Sequence, residues 1–174
     1  DQTSPVITKT AISLTSTTEI SATLSVALGE KGKMYYVVLP DASATPTAVQ
    51  VKAGQNASGS AITTKGTIVI SGTGAQACVI SGLKRYTEYE IFAVGEDSVG
   101  NVQTTVSGIH ILTIDKTPPK FSTPSSIVMA TGSAVLKAGL DEPGTIFYAV
   151  YTNGTSSKLV ADVSAGTGSV TSGS

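Results

Sequence analysis

The stretch Gly82–Val94, GLKRYTEYEIFAV, differs from the rest of the chain in composition. It holds three of the nine aromatic residues in 174, and four charged residues fall within seven positions of it. From Glu88 to Ile91 polar and apolar residues alternate, which is the period of a half-buried strand. The stretch therefore predicts a strand from Glu88 to Val94.

The composition of the whole chain favours many short strands. The chain has 22 serines, 25 threonines and 18 glycines, 40% hydrophobic residues and only 13% charged residues. Threonine, valine and isoleucine favour strands, and glycine and serine favour turns. The net charge of −1 argues against a nucleic-acid partner. No apolar run approaches the roughly 18 residues of a spanning helix, so we expect no membrane insertion of this segment.

Strand patterns recur at short intervals through the first two thirds of the chain. Ile20–Leu28 alternates strictly and predicts a half-buried strand, whereas Met34–Leu39 is apolar on both faces and predicts a central strand. The remaining predicted strands are Val6–Leu14, Thr67–Ser71, Ala75–Ile80, Glu88–Val94 and Val102–Ile114. About seven strands separated by turn signals are typical of a β-sandwich.

One segment between these strands predicts a helix of about two turns over residues 46–53. Thr45 can cap its start, Pro46 suits the first helical position and Gly54 can end it.

The chain also contains an internal repeat. Asp1–Pro5 and Asp115–Pro119 both match D-x-T-x-P. An apolar strand and then a strand with two adjacent aromatics follow each copy. We therefore expect one complete domain over residues 1–114 and the first half of a second over residues 115–174. Three or four strands cannot close a sandwich, so either the piece ends inside a repeat or a neighbour supplies the missing strands.

The opening stretch resembles a known family. Gly82-Leu83, three residues, Thr87, one residue and Tyr89 resemble the G-L-x-x-x-T-x-Y passage of fibronectin type III domains. The resemblance implies that Leu83 plugs the end of the sandwich and that Thr87 opens the strand. It also implies that the hydroxyl of Tyr89 bonds the backbone a few residues upstream, as a corner tyrosine does. The family usually buries a tryptophan on the second strand; this chain has none, so Leu24 or Val26 must fill that volume.

The resemblance implies an all-β fold, with one fibronectin-III/Ig-like β-sandwich and a partial second repeat. D-x-T-x-P starts are typical of tandem modules on large microbial cell-surface proteins. The implied function is that of a non-catalytic extracellular structural module, which serves as a spacer or in coat or filament assembly. Its partners would be neighbouring repeats, with self-assembly by strand addition. The alternative is an adhesive module whose loops bind a glycan or a host protein, for which Tyr35, Tyr36, Tyr148 and Tyr151 are candidates.

The sequence gives little support to catalysis. His110 is the single histidine, and no G-x-S-x-G elbow accompanies it. Cys78 is the single cysteine and lies in an apolar alternation, which predicts a buried, inert thiol. One histidine and one cysteine cannot form a zinc site without carboxylates. We therefore expect no enzyme activity and no cofactor.

Two further kinds of site have candidate residues. Asp97 and Asn101 share a turn, and Asp115 lies at the start of the second repeat, so the three offer oxygen ligands for calcium. The alternative for the first pair is a turn capped by its own side chains. Asn56 and Asn153 each begin an N-x-S/T sequence in a loop, which is the acceptor pattern for glycosylation in a eukaryotic secretory pathway.

Overall fold

The computed structural model describes residues 2–5, 12–169 and 171–174, except the side chains of residues 123 and 124. The chain divides into two units, Asp1–Lys116 and Thr117–Ser174. Antiparallel strands build both units, and one short helix is described in each. The prediction of an all-β chain is thereby confirmed. Residues 6–11 of the predicted first strand lie outside the described residues.

The first unit, in its described residues, contains two antiparallel sheets. Its elements are β1 (Ile12–Thr17), β2 (Ser21–Val26), β3 (Gly32–Pro40), α1 (Ala48–Ala53), β4 (Lys65–Ile70), β5 (Gln76–Ser81), β6 (Glu88–Asp97) and β7 (Ser107–Leu112). One sheet has the order β1-β2-β5 and the other has the order β4-β3-β6-β7. The strand with two apolar faces, β3, is central in its sheet, as predicted.

The main core of the first unit draws residues from both sheets, so the unit is sandwich-like. On β2, Ala22, Leu24 and Val26 are buried, and they alternate with partly exposed neighbours. They belong to one cluster with Ile80 of β5 and Ile91 of β6. The period-two pattern of β2 thus places three apolar side chains in the core.

Helix α1 covers the outer face of the four-stranded sheet. Its Val51 packs against Val37 of β3 and Phe92 of β6, and all three side chains are buried. This second cluster explains why β3 and β6 carry apolar residues on both faces.

The helix begins two residues later than predicted. Thr47, rather than Thr45, caps it: the Gln50 amide donates to Thr47 Oγ1 and the Thr47 amide donates to Gln50 Oε1. Pro46 precedes the helix and is buried. Gly54 ends the helix at φ 71°, a left-handed conformation that glycine adopts without steric cost.

Two strand predictions need correction. Ile20 is 63% exposed, because it lies in the turn before β2, where its carbonyl accepts a hydrogen bond from the amide of Leu83 at 3.0 Å. The last strand spans only Ser107–Leu112, whereas we predicted Val102–Ile114. Before it, Val102 forms an isolated bridge with Glu96, and Gln103 bonds Gly95 through both its backbone amide and its buried side chain.

The second unit, as far as its residues are described, contains two two-stranded sheets and a helix. Its described elements are β8 (Phe121–Ala130), β9 (Ser133–Leu140), β10 (Tyr148–Val150), α2 (Val160–Ala165) and β11 (Thr171–Gly173). Strand β8 pairs with β9, and β10 pairs with β11. The sequence patterns did not predict the helix in this segment.

From β8 to α2, the elements of the second unit repeat those of the first at an offset of 112 residues, the separation of Ala48 and Val160. The cross-strand pair Val128↔Val135 of β8 and β9 corresponds to the pair Ser16↔Thr23 of β1 and β2. At the same offset, α2 starts at Val160 where α1 starts at Ala48. The two helices end at Gly166 and Gly54, which are both left-handed and again correspond at this offset.

A tyrosine and a glycine also face each other across strands in both units. Tyr36 pairs with Gly66, and Tyr148 pairs with Gly173. A Cβ at Gly66 would lie 2.5 Å from Tyr36 Oη, and one at Gly173 would lie 2.7 Å from Tyr148 Oη. The described second unit thus has counterparts of β1, β2, β3, α1 and β4.

Candidate functional site

The turn before β6 is held by the side chains that the opening stretch supplies. The amide of Lys84 donates to Tyr89 Oη at 2.9 Å, five residues upstream of the tyrosine. Leu83 is buried in the main core. Thr87 Oγ1 donates to the carbonyl of Arg85 at 2.8 Å. These contacts fix the path by which the chain enters the central strand.

Thr113 is a residue of this corner that the sequence patterns did not single out. Its side chain is fully buried. Its Oγ1 donates to the carbonyl of Lys84 at 2.6 Å and accepts from the amide of Thr87 at 2.9 Å. One hydroxyl therefore satisfies two backbone groups of the turn. In a chain with 25 threonines, no composition signal distinguishes this one.

We expect Tyr89→Phe to lower the free energy of unfolding by about 1 kcal/mol, because the Lys84 amide loses its hydrogen-bond acceptor. Urea unfolding followed by far-UV circular dichroism measures the change. Tyr86→Phe is the matched control. Tyr86 lies three residues earlier and is exposed, so removal of its hydroxyl should change the free energy of unfolding by less than about 0.5 kcal/mol. Equal effects of the two substitutions would contradict a structural role for the Tyr89 hydroxyl.

A charged cluster lies on the outer face beside α1. Tyr35 Oη donates to Glu96 Oε2, and Lys52 Nζ of the helix donates to Glu96 Oε1 at 2.7 Å. Lys52 also lies 5.7 Å from the centre of the Tyr35 ring. The hydrogen bond from Lys52, followed by that from Tyr35, lowers the pKa of Glu96. The same bond to Glu96, with partial desolvation, raises the pKa of Tyr35.

This cluster borders an open depression of about 250 Å³, which Tyr36 and Lys65 also line. The polar atoms of Tyr35, Lys52 and Glu96 already bond to one another. Their arrangement ties the helix to β3 and β6.

The Asp97–Asn101 turn is closed by its own hydrogen bonds. The Asp97 carboxylate accepts from the amides of Val99 at 2.9 Å and Asn101 at 2.8 Å, and from Asn101 Nδ2 at 2.6 Å. Burial acts to raise the pKa of Asp97, but the bonds from Asn101, Val99 and Gly100 outweigh it, so that its pKa lies below the ordinary value. N–H donors thus occupy the oxygens that calcium would need.

Asp115, the third calcium candidate, lies away from this turn. Its carboxylate is 3.7 Å from Arg85 Nε, near the start of β6. Asp97 is the last residue of that ten-residue strand, and a strand rises about 3.3 Å per residue. Strand β6 is therefore roughly 30 Å long, and because Asp97 and Asp115 lie near its opposite ends, the structure does not bring the three candidates together.

The acid dependence of stability provides a test of the Asp97 turn. A carboxylate whose pKa is lowered in the folded state stabilises that state above its unfolded pKa of about 4. This contribution is lost as the pH falls through the folded pKa. We therefore expect Asp97→Asn to have a lower melting temperature than the parent protein at pH 7. The difference between the two melting temperatures should shrink when the pH falls below about 4. Thermal melts from pH 7 to pH 2 measure it; a difference independent of pH would contradict this explanation.

Three exposed side chains lie close together at the start of β6, at the other end of the strand from Asp97. Asp41 follows β3, Glu88 begins β6 and His110 lies on β7, and one donor atom of each lies within 4.8 Å of the others. His110 Nε2 is 3.4 Å from Asp41 Oδ1. A histidine nitrogen with two carboxylate oxygens is a donor set that Zn²⁺ accepts. The contact between the His110 ring and the Asp41 carboxylate accounts for the proximity without a metal.

The other residues that the sequence pointed to have simple surroundings. Cys78 is buried, and desolvation raises its pKa to about 11, so its thiol stays protonated and unreactive at neutral pH. Asn56 Oδ1 accepts from the amides of Ser58 at 3.1 Å and Ser60 at 2.9 Å, which folds its loop. Asn153 lies exposed in a turn of the second unit.

Among the described residues, no helix is long and apolar enough to cross a membrane. Comparison of the chain with protein-family models, curated proteins and solved structures gave no match.

Proposed function

We propose that the first unit is a fibronectin type III-like or immunoglobulin-like sandwich module. Among its described residues, seven antiparallel strands in two sheets share a main core, which supports this proposal. The corner formed by Tyr89 and Lys84 supports it further. The unit differs from a constant-type immunoglobulin domain, in which the fourth strand joins the first, second and fifth. Here β4 pairs with β3 instead.

We further propose that the chain is a non-catalytic structural segment of a tandem-repeat protein at the cell surface, where it acts as a spacer or in coat or filament assembly. The observation that carries this proposal is the repetition of strand register and helix end at one constant offset in both units. Repetition of one structural unit along a chain is characteristic of proteins that extend by stacking modules. A repeat has no need of a catalytic site in each copy.

The polar side chains of the first unit support a structural rather than a catalytic role. Glu96 is bonded by Tyr35 and Lys52, and Asp97 by the backbone of its own turn. The hydroxyl of Thr113 is used by the corner. These groups hold the frame, whereas a catalytic group must be able to reach a substrate.

Proteolytic shaving of intact source cells tests the proposed location. Mass spectrometry should detect peptides from the exposed loop at residues 57–61 before the cells are lysed. Detection only after lysis would contradict a cell-surface role.

A glycan array probed with the purified chain tests the role itself. A structural module should bind no glycan above background. Binding that is lost in Tyr35→Ala would instead favour the adhesive alternative, since Tyr35 borders the depression beside α1.

A further inference from the structure

The second unit carries an exposed apolar face. An open groove of about 440 Å³ runs between β9 and β10. It is lined by Ala134, Val135, Leu136, Ala138, Ile146 and Tyr148. Beside it, Val150 of β10 is 49% exposed. A contiguous apolar surface of this kind marks a place where another element packs.

Except for Val135, each of these groove residues has a counterpart in the core of the first unit, at the same offset of 112 residues that separates Ala48 from Val160. In the same order, the counterparts are Ala22, Leu24, Val26, Met34 and Tyr36; the first four belong to the main core cluster, and Tyr36 packs against it. The exposed fraction rises from 1% at Leu24 to 42% at Leu136. The corresponding pair Val38 and Val150 rises from 5% to 49%. The same face is therefore covered in one unit and uncovered in the other.

Strands β5, β6 and β7 cover this face in the first unit. Ile80, Ile91 and Ile111 come from these three strands and pack in the same cluster as Leu24. The described residues of the second unit contain no counterpart of these strands.

The backbone pairing of the strands also differs between the two units. In the first unit β2 pairs with β1 and β5, and β3 pairs with β4 and β6. Within the described second unit, β9 pairs only with β8, and β10 only with β11. Each of these strands thus has one edge free at the position where β5 or β6 docks in the first unit. A free edge beside an apolar groove favours the addition of a strand.

We propose that this face binds a polypeptide segment with the pattern of β5–β7, the pattern of residues 75–114 of this repeat. The segment adds one strand to β9 and another to β10, and its apolar residues fill the groove. A second copy of this chain is not the occupant, because its own β5–β7 are buried in its own first unit. This inference rests on the proposed tandem-repeat function.

A fluorescently labelled peptide of residues 75–114, titrated with the full chain under reducing conditions, tests the proposal. We expect saturable 1:1 binding, and hydrogen exchange should slow in β9 and β10. Leu136→Asp should weaken binding at least about tenfold, since it places a charge in the groove. Lys137→Asp is the matched control: Lys137 also neighbours Leu136 on β9 but does not line the groove, so affinity should be retained.

Several results would overturn the proposal. One is that the peptide does not bind, and another is that the two aspartate variants lose affinity equally. Slower hydrogen exchange confined to the first unit would also contradict the proposal, because it would indicate that the peptide exchanges with a strand there. Light scattering of the chain alone tests the competing occupant: a dimer that Leu136→Asp dissociates would assign the face to a second copy. None of these results depends on cellular location, so failure here is separable from failure of the shaving experiment.

Discussion

Leu24→Ala should lower the free energy of unfolding by about 3 kcal/mol. Leu24 is 1% exposed and lies in the main core between the two sheets. Its truncation removes buried apolar surface and leaves a cavity that close-packed neighbours fill only in part. Such a loss is a large fraction of the stability of a small domain. Urea unfolding monitored by circular dichroism should show a midpoint lower by about 1 M or more.

The repeat supplies the control for this prediction. Leu136 is the counterpart of Leu24 on β9 and is 42% exposed. We expect Leu136→Ala to change the free energy of unfolding by about 0.5 kcal/mol or less. The same substitution at equivalent positions should thus have very different effects. Equal losses at both positions would show that the face of the second unit is buried.

Thr113→Val should have an effect comparable to that of Leu24→Ala and lower the free energy of unfolding by about 2–4 kcal/mol. Valine keeps the shape of threonine but cannot bond the Lys84 carbonyl or the Thr87 amide, and the site is fully buried. Each backbone group left without a partner costs about 1–3 kcal/mol. Chemical denaturation of the purified variant measures the loss.

Thr113→Ser is the control for the hydroxyl, because it keeps the donor and acceptor and removes only a methyl group. We expect Thr113→Ser to lower the free energy of unfolding by about 1 kcal/mol.

A double variant tests whether the two side chains act together. Both bond Lys84, so the loss of unfolding free energy in Tyr89→Phe combined with Thr113→Val should differ from the sum of the two single losses by more than about 0.5 kcal/mol. Additive losses, or a serine variant as unstable as the valine variant, would contradict this description of the corner.

Periodicity predicted the parts of the fold that burial dictates. The alternation of Ala22, Leu24 and Val26 sets one face of β2, and the two apolar faces of β3 reflect its central place beneath α1. Ile20 continues the alternation in sequence but lies in a turn. A pattern of period two does not show where a strand begins, because the residue before the strand can be apolar as well.

The contacts of polar side chains were less predictable. Thr45 and Thr47 both resemble helix caps, and the choice of Thr47 follows from its bonds with Gln50. Asp41, Glu88 and His110 are far apart in sequence, and only strand pairing brings them together. The charge and hydrogen bonding of such groups follow from the three-dimensional arrangement and leave no local periodicity.

Amide hydrogen exchange of the full chain tests most directly whether the second unit is an uncovered copy of the first. The comparison is between equivalent strands, β2 with β9 and β3 with β10. Because opening of a closed core requires much of the global unfolding free energy, we expect β2 and β3 to exchange at least about a thousandfold more slowly than β9 and β10. Exchange rates within about tenfold of one another in the paired strands would contradict the assignment, since they would show that the face of the second unit is already covered.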